Sequence, residues 1–152
     1  MAAPLRDPLG RDLMVAPFLS ATTWDALDLT PTPQGADLAA KVDLQAVEGV
    51  DALRQALLLR LLTPLGSLAA LGHPDYGSRL HELVGTEFTD AARLRARAFV
   101  LQAIAQERRV ERVLALTVEK QEPSRPDSLR LSLAVQASGL ADPVALGLEV
   151  AG

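Results

Sequence analysis

From Leu53 to Leu62 the chain is apolar on more than one helical face. Leu53, Ala56, Leu57, Arg60 and Leu61 fall at helical spacing, and Leu58, Leu59 and Leu62 widen the stripe. The pattern predicts a helix from Val50 or Asp51 to Leu62, buried on most sides. Each leucine so buried contributes roughly 1.5–3 kcal/mol. Pro64 and Gly66 stop it. Turns follow from Leu65 to Gly77, then a short helix capped by Ser78, running to about Val84 and ended by Gly85. A long helix is predicted from Thr89 or Asp90 to about Glu107. In it Ala91, Leu94, Ala98, Leu101 and Ala105, widened by Ile104, form an apolar stripe, with Arg93 and Arg97 off it as solvated partners of carboxylates.

After Arg109 the period changes from 3.6 to 2. Val110, Leu114, Leu116 and Val118 alternate with polar or small residues, although Arg112 interrupts the apolar side. Leu129, Leu131, Leu133 and Val135 alternate cleanly, and the composition of Glu122 to Asp127 makes the turn of a hairpin. Val144, Leu146, Leu148 and Val150 repeat the pattern as a third antiparallel strand. Residues 1–35, punctuated by Pro4, Pro8, Pro17, Pro31 and Pro33, read as an extended arm, pinned by the rare aromatics Phe18 and Trp24. Short strands are expected within Asp12–Phe18 and Ala36–Val47. The expectation is an α+β fold: the arm at 1–35, then a domain at 36–152 with two or three helices packed on an antiparallel sheet of three or four strands.

Composition narrows the function classes. The chain has 152 residues, enough to bury a core without staples, and its 49% hydrophobic content is nearly all aliphatic. A net charge of −4 argues against phosphate neutralisation, so no nucleic-acid partner is expected. With no cysteine there are no disulfides or thiolate metal sites. No apolar run approaches a membrane span, and prolines and charges break the N-terminus where a signal peptide needs apolar residues. A cytoplasmic protein with no membrane partner is expected.

The block from Leu57 to Gly85, LLLRLLTPLGSLAALGHPDYGSRLHELVG, is the most specific stretch. With Leu61, Leu62, Thr63, Pro64, Gly66, His73, Pro74, Tyr76, Gly77, Leu80 and Gly85 in place, it resembles the gene-25-like (GPW) family of small wedge proteins from contractile-tail baseplates. Relatives occur in phage tails, type VI secretion and extracellular injection particles. The resemblance spans roughly residues 36–150. It implies a structural subunit that joins the wedge to the first sheath ring, starts sheath assembly and becomes part of the particle. The implied partners are larger wedge subunits, a sheath subunit adding a strand to the sheet, and tube or hub proteins. The family carries a Glu-Pro-Arg signature at the wedge contact. Glu107 and Arg109 match it, and Arg108 replaces the proline. Read from the residues alone, Arg108 and Arg109 merely complement a helix C-terminus. On the last strand Leu146 and Leu148 are the candidate docking positions, because a meander has two edges open to strand addition.

A lysozyme label attached to this family makes a peptidoglycan hydrolase the competing reading, and an adaptor unrelated to tails a third. Glycoside hydrolysis needs two carboxylates, one with a raised pKa. Glu82, Glu87, Asp90 and Glu107 are the candidates, and none lies in a catalytic motif. His73, His81, Asp75, Glu82 and Glu87 do not have metal-ligand spacing. His73 is read as turn support and His81 as the rim of a short helix. Tyr76 and Gly77 are read as a structural corner, the glycine for a positive φ. No enzyme activity, cofactor or metal is expected.

Overall fold

The period-2 segments form a three-stranded antiparallel meander, and the leucine-rich segment forms a helix beside it. The computed structural model describes residues 8–15, 31–33, 42–120 and 128–151. In chain order the elements begin with β1 (Arg11–Leu13), β2 (Pro31–Pro33), β3 (Val42–Leu44), β4 (Ala46–Glu48) and α1 (Gly49–Leu62). Single 3-10 turns follow at Ala69–Leu71 and Leu80–Leu83, then α2 (Asp90–Ile104), β5 (Val110–Lys120), β6 (Ser128–Ala137) and β7 (Val144–Ala151). The main sheet has the order β5-β6-β7, and two small ribbons pair β1 with β4 and β2 with β3. This is the expected α+β architecture. Phe18, Trp24 and the hairpin turn at Glu122 to Asp127 fall outside the described residues.

Leu53, Leu57 and Leu58 of α1 are fully buried, against Val100 and Ile104 of α2 and the inward leucines of β6 and β7. The N-terminal segment shares this core. Leu9 is 2% exposed, and the buried Gln55 of α1 donates to Leu13 O at 2.7 Å and accepts from Val15 N at 2.9 Å. That side-chain amide acts as one more peptide group for the strand to pair with, which explains a glutamine on a buried helical face.

The Leu57–Gly85 block has a simple physical basis. Thr63 O accepts from Ser78 N at 2.8 Å, and Leu65 N donates to Ser78 O at 2.8 Å, so the segment after α1 clasps the segment at Gly77. A Cβ on Gly77, whose φ is +114°, would lie 2.5 Å from Thr63 O. Only glycine allows that approach. As expected, the Ser78 hydroxyl accepts from Leu80 N, at 3.3 Å, where the short helical turn starts. The same buried hydroxyl donates to Leu61 O at 2.5 Å at the end of α1, and the next element is a single 3-10 turn, Leu80–Leu83, that leaves Val84 exposed. The hydroxyl is drawn to an orphan carbonyl of the preceding helix.

Two expectations are corrected. α2 packs on Ala92, Ala96, Val100 and Ala103, while Ala91, Leu94, Ala98, Leu101 and Ala105 face outward. Both stripes are apolar. The one with three small alanines lets the helix come close to α1 and β5, and its Val100 and Ile104 fill the remaining space. In β5 the inward residues are Val110, Val113, Leu116 and Val118, and Leu114 is exposed. Register shifts between Val110 and Arg112 and between Val113 and Ala115 insert an extra residue each time. An inserted residue flips the face of every later position in the strand, which also takes Arg112 off the apolar side.

Candidate functional site

Two places unite the residues singled out in the sequence: the turn between α2 and β5, and the outer edges of the main sheet.

At the turn, Glu107 N donates to Ile104 O and Val110 N to Glu107 O, at 2.9 and 3.0 Å, so the residues between helix and strand are held in a tight reversal. The Glu107 side chain is 10% exposed and takes a two-pronged contact from Arg109, Nε to Oε1 at 2.8 Å and Nη2 to Oε2 at 3.0 Å. Arg109 Nη1 donates to Leu9 O at 2.8 Å, and its carbonyl accepts from Ser138 N at 2.9 Å. One arginine thus joins the helix–strand corner, the N-terminal segment and the end of β6. Its planar fork suits this; a lysine could not reproduce it. Arg108 is exposed.

A third member was missed in the sequence. Arg60, inside the leucine run of α1, has its guanidinium 4.5 Å above the Tyr76 ring and Nη2 4.0 Å from Glu107 Oε2. Its side chain is 12% exposed, and its Nε is buried without a hydrogen-bond partner among the described residues. An arginine in an otherwise apolar helix needs a counter-charge, and that was the available signal. The hydrogen bonds from Arg109 hold the Glu107 carboxyl below its ordinary value, against the opposing effect of burial. Burial pushes the Tyr76 hydroxyl up, with Arg60 acting the other way.

At the sheet edges, Leu146 and Leu148 pair with Leu133 and Leu131 and are 5% and 2% exposed. Their side chains belong to the core, out of reach of a partner. Arg54 of α1 donates from Nε to Ala145 O at 3.0 Å, so that carbonyl leaves β7 on the side away from β6. Backbone groups alternate along a strand, so Gly147 and Glu149 also direct theirs outward, while those of Leu146 and Leu148 point to β6. At the opposite edge, Arg97 of α2 donates to Leu116 O at 2.5 Å. Arg97 is therefore not the carboxylate partner expected; Arg93 is, 3.1 Å from Asp90. The two edges differ in regularity. β5 carries two bulges, whereas β7 pairs with β6 over eight consecutive residues without a shift.

The remaining candidates are local. Glu82 is clamped by Arg79 at 2.7 and 2.9 Å, and this contact lowers its pKa. Glu87 and Asp90 are exposed. A glycosidase acid needs a raised pKa, the opposite of what Glu82 and Glu107 have. His81 Nδ1 lies 3.2 Å from Ser78 O, and His73 accepts and donates through its backbone in the turn. Among the described residues no three His, Cys, Asp or Glu side chains converge on a metal position, and no helix is long and apolar enough to cross a membrane.

No protein-family model matches the chain, and no curated protein matches it. A solved structure from Geobacter sulfurreducens, of a protein provisionally named a tail lysozyme, shares the fold with a TM-score of 0.54 at 19% identity. The match covers 64% of this chain and 85% of that one.

Proposed function

We propose that this chain is a structural subunit of a contractile-tail baseplate, in a phage tail or a related injection particle. It joins the wedge to the first sheath ring and starts sheath assembly. The observation that carries this reading is β7, a regular, bulge-free strand at the edge of the main sheet. The Leu57–Gly85 block supports it, as does the fold shared with a protein whose name refers to a tail.

In this reading a terminal segment of a sheath subunit adds to β7 as a fourth strand. It pairs with the outward groups of Gly147 and takes Ala145 O over from Arg54. Leu146 and Leu148 support the docking strand from the core instead of touching the partner. A larger wedge subunit meets the turn at Glu107–Arg109. There Arg108 offers the exposed charge, and the Glu107–Arg109 pair fixes the shape it meets. The subunit acts without catalysis, in the cytoplasm during assembly and then within the particle.

Gly147→Pro tests the docking edge. It deletes an outward N–H and no hydrogen bond to β6, so the variant should fold, as circular dichroism will check. Co-expressed with the sheath and wedge subunits, it should bind the wedge and fail to seed sheath. A folded variant that seeds sheath of normal length would overturn the docking edge. Peptidoglycan turnover that disappears on Glu82→Gln or Glu107→Gln would overturn the non-enzymatic role in favour of the hydrolase.

A further inference from the structure

α2 carries a second apolar face, turned away from the core. Ala91, Leu94, Ala98, Leu101 and Ala105 recur at intervals of three and four residues, the spacing of a coiled-coil seam. All five are exposed, Leu94 at 64% and Leu101 at 38%, while Ala92, Ala96, Val100 and Ala103 of the opposite face are buried. A surface helix normally spends its apolar residues on one stripe. This one has two.

Alternating alanine and leucine makes a shallow seam, into which a second helix can settle closely with its own large side chains between the leucines. The seam is continued at Leu94 by a groove of about 370 Å³, between Arg93 and Arg97 of the helix and residues 116–119 of β5. Charge identifies the occupant. Residues 91–105 hold three arginines, Arg93, Arg95 and Arg97, and no acid, in a chain whose net charge is −4. Arg93 is paired with Asp90 and Arg97 with Leu116 O; Arg95, whose charge also reaches Glu82 while that acid is held by Arg79, is the exposed cation beside the seam. A second copy would bring one basic face against another.

We infer that the outer face of α2 is a docking seam for an amphipathic helix of a partner protein, with leucine-rich core positions and glutamates flanking them. The inference does not depend on the baseplate reading, because it uses neither β7 nor the Glu107 corner.

The test uses the full chain and two synthetic helices of about 20 residues. They share a Leu/Ala seam and differ only in carrying Glu or Lys at the flanking positions. Titration calorimetry should show the Glu peptide binding at least about tenfold more tightly than the Lys peptide. Raising salt from about 0.05 to about 0.5 M should narrow the difference. Leu94→Glu/Leu101→Glu, at two exposed positions, should abolish binding with the melting temperature unchanged. Equal binding of both peptides, no binding of either, or binding that survives the double substitution would each overturn the inference. So would a wild-type dimer that Leu94→Glu dissociates, since a second copy would then be the occupant.

Discussion

Removing Arg109 is the most informative perturbation of the corner. Arg109→Ala leaves the Glu107 carboxylate 10% exposed, with Arg60 4.0 Å away as its remaining cation, and deletes the donor to Leu9 O. Breaking a buried pair from one side costs about 3–5 kcal/mol. Arg109 is itself 28% exposed, so water relieves part of that, and the expected loss is about 2–3 kcal/mol. For a domain of this size that is a drop in melting temperature of roughly 5–10 °C. The pH dependence gives a second reading. Glu107 is held below its ordinary 4.5 in the folded state, chiefly by Arg109. The native state therefore binds fewer protons than the unfolded chain between those two values. Stability from the pair is fully present above about pH 4.5 and is lost as pH falls through the lowered value. Thermal melts followed by circular dichroism from neutral to acid pH should show the wild type losing more stability on this limb than Arg109→Ala. Glu107→Gln/Arg109→Leu also strips the buried Arg60 of its carboxylate, so it should be no more stable than Arg109→Ala alone. A variant melting within a degree of wild type, with the same acid limb, would refute the view that this pair holds the corner together.

Gly77→Ala places a Cβ 2.5 Å from Thr63 O in a left-handed backbone, and should cost about 3 kcal/mol or more, or yield no soluble protein. Ile104→Ala should cost about 2–5 kcal/mol by denaturant titration, whereas Leu94→Ala on the opposite face should stay within about 0.5 kcal/mol of wild type. Gln55→Leu strands Leu13 O and Val15 N and should cost about 1–3 kcal/mol, with faster amide exchange around residues 11–15. Thr89→Ala removes the side-chain oxygen that accepts from Ala92 N, and should cost about 1 kcal/mol.

How far the sequence could be read depended on whether a residue's partners were near in the chain. α1, β6 and β7 were legible because each has one dominant period and punctuating residues at its ends. α2 was legible as a helix and misread as to its face. Ala92, Ala96 and Val100 repeat as regularly as Ala91, Leu94 and Ala98, and only packing against α1 and β5 decides between them. The bulges of β5 left a trace, since Arg112 contradicts a strict alternation there. Glu107 and Arg109 were found through the resemblance, but their joining of Leu9, Tyr76 and Arg60 depends on contacts between segments up to 100 residues apart. The reason for Gly77 was half visible: positive φ follows from residue type, whereas the close approach of Thr63 does not.

The edges of the main sheet bring these threads together. A three-stranded meander exposes two rows of backbone groups, each a template for another chain. Here each row is interrupted by an arginine from the helix beside it, Arg54 on Ala145 O and Arg97 on Leu116 O. The interruptions are unequal. On β5 the arginine sits within the regular half of a strand whose other half is already bent by two bulges, so an added strand would find only a short ladder. On β7 it sits near one end of an unbroken run and is also held by Asp51 at 3.1 Å. An incoming strand can supply Ala145 O with a main-chain donor while the displaced guanidinium keeps its carboxylate, so the exchange loses little. In the docking proposed above, the same arginine would cover Ala145 O in the free subunit and yield it to a partner that brings a full strand.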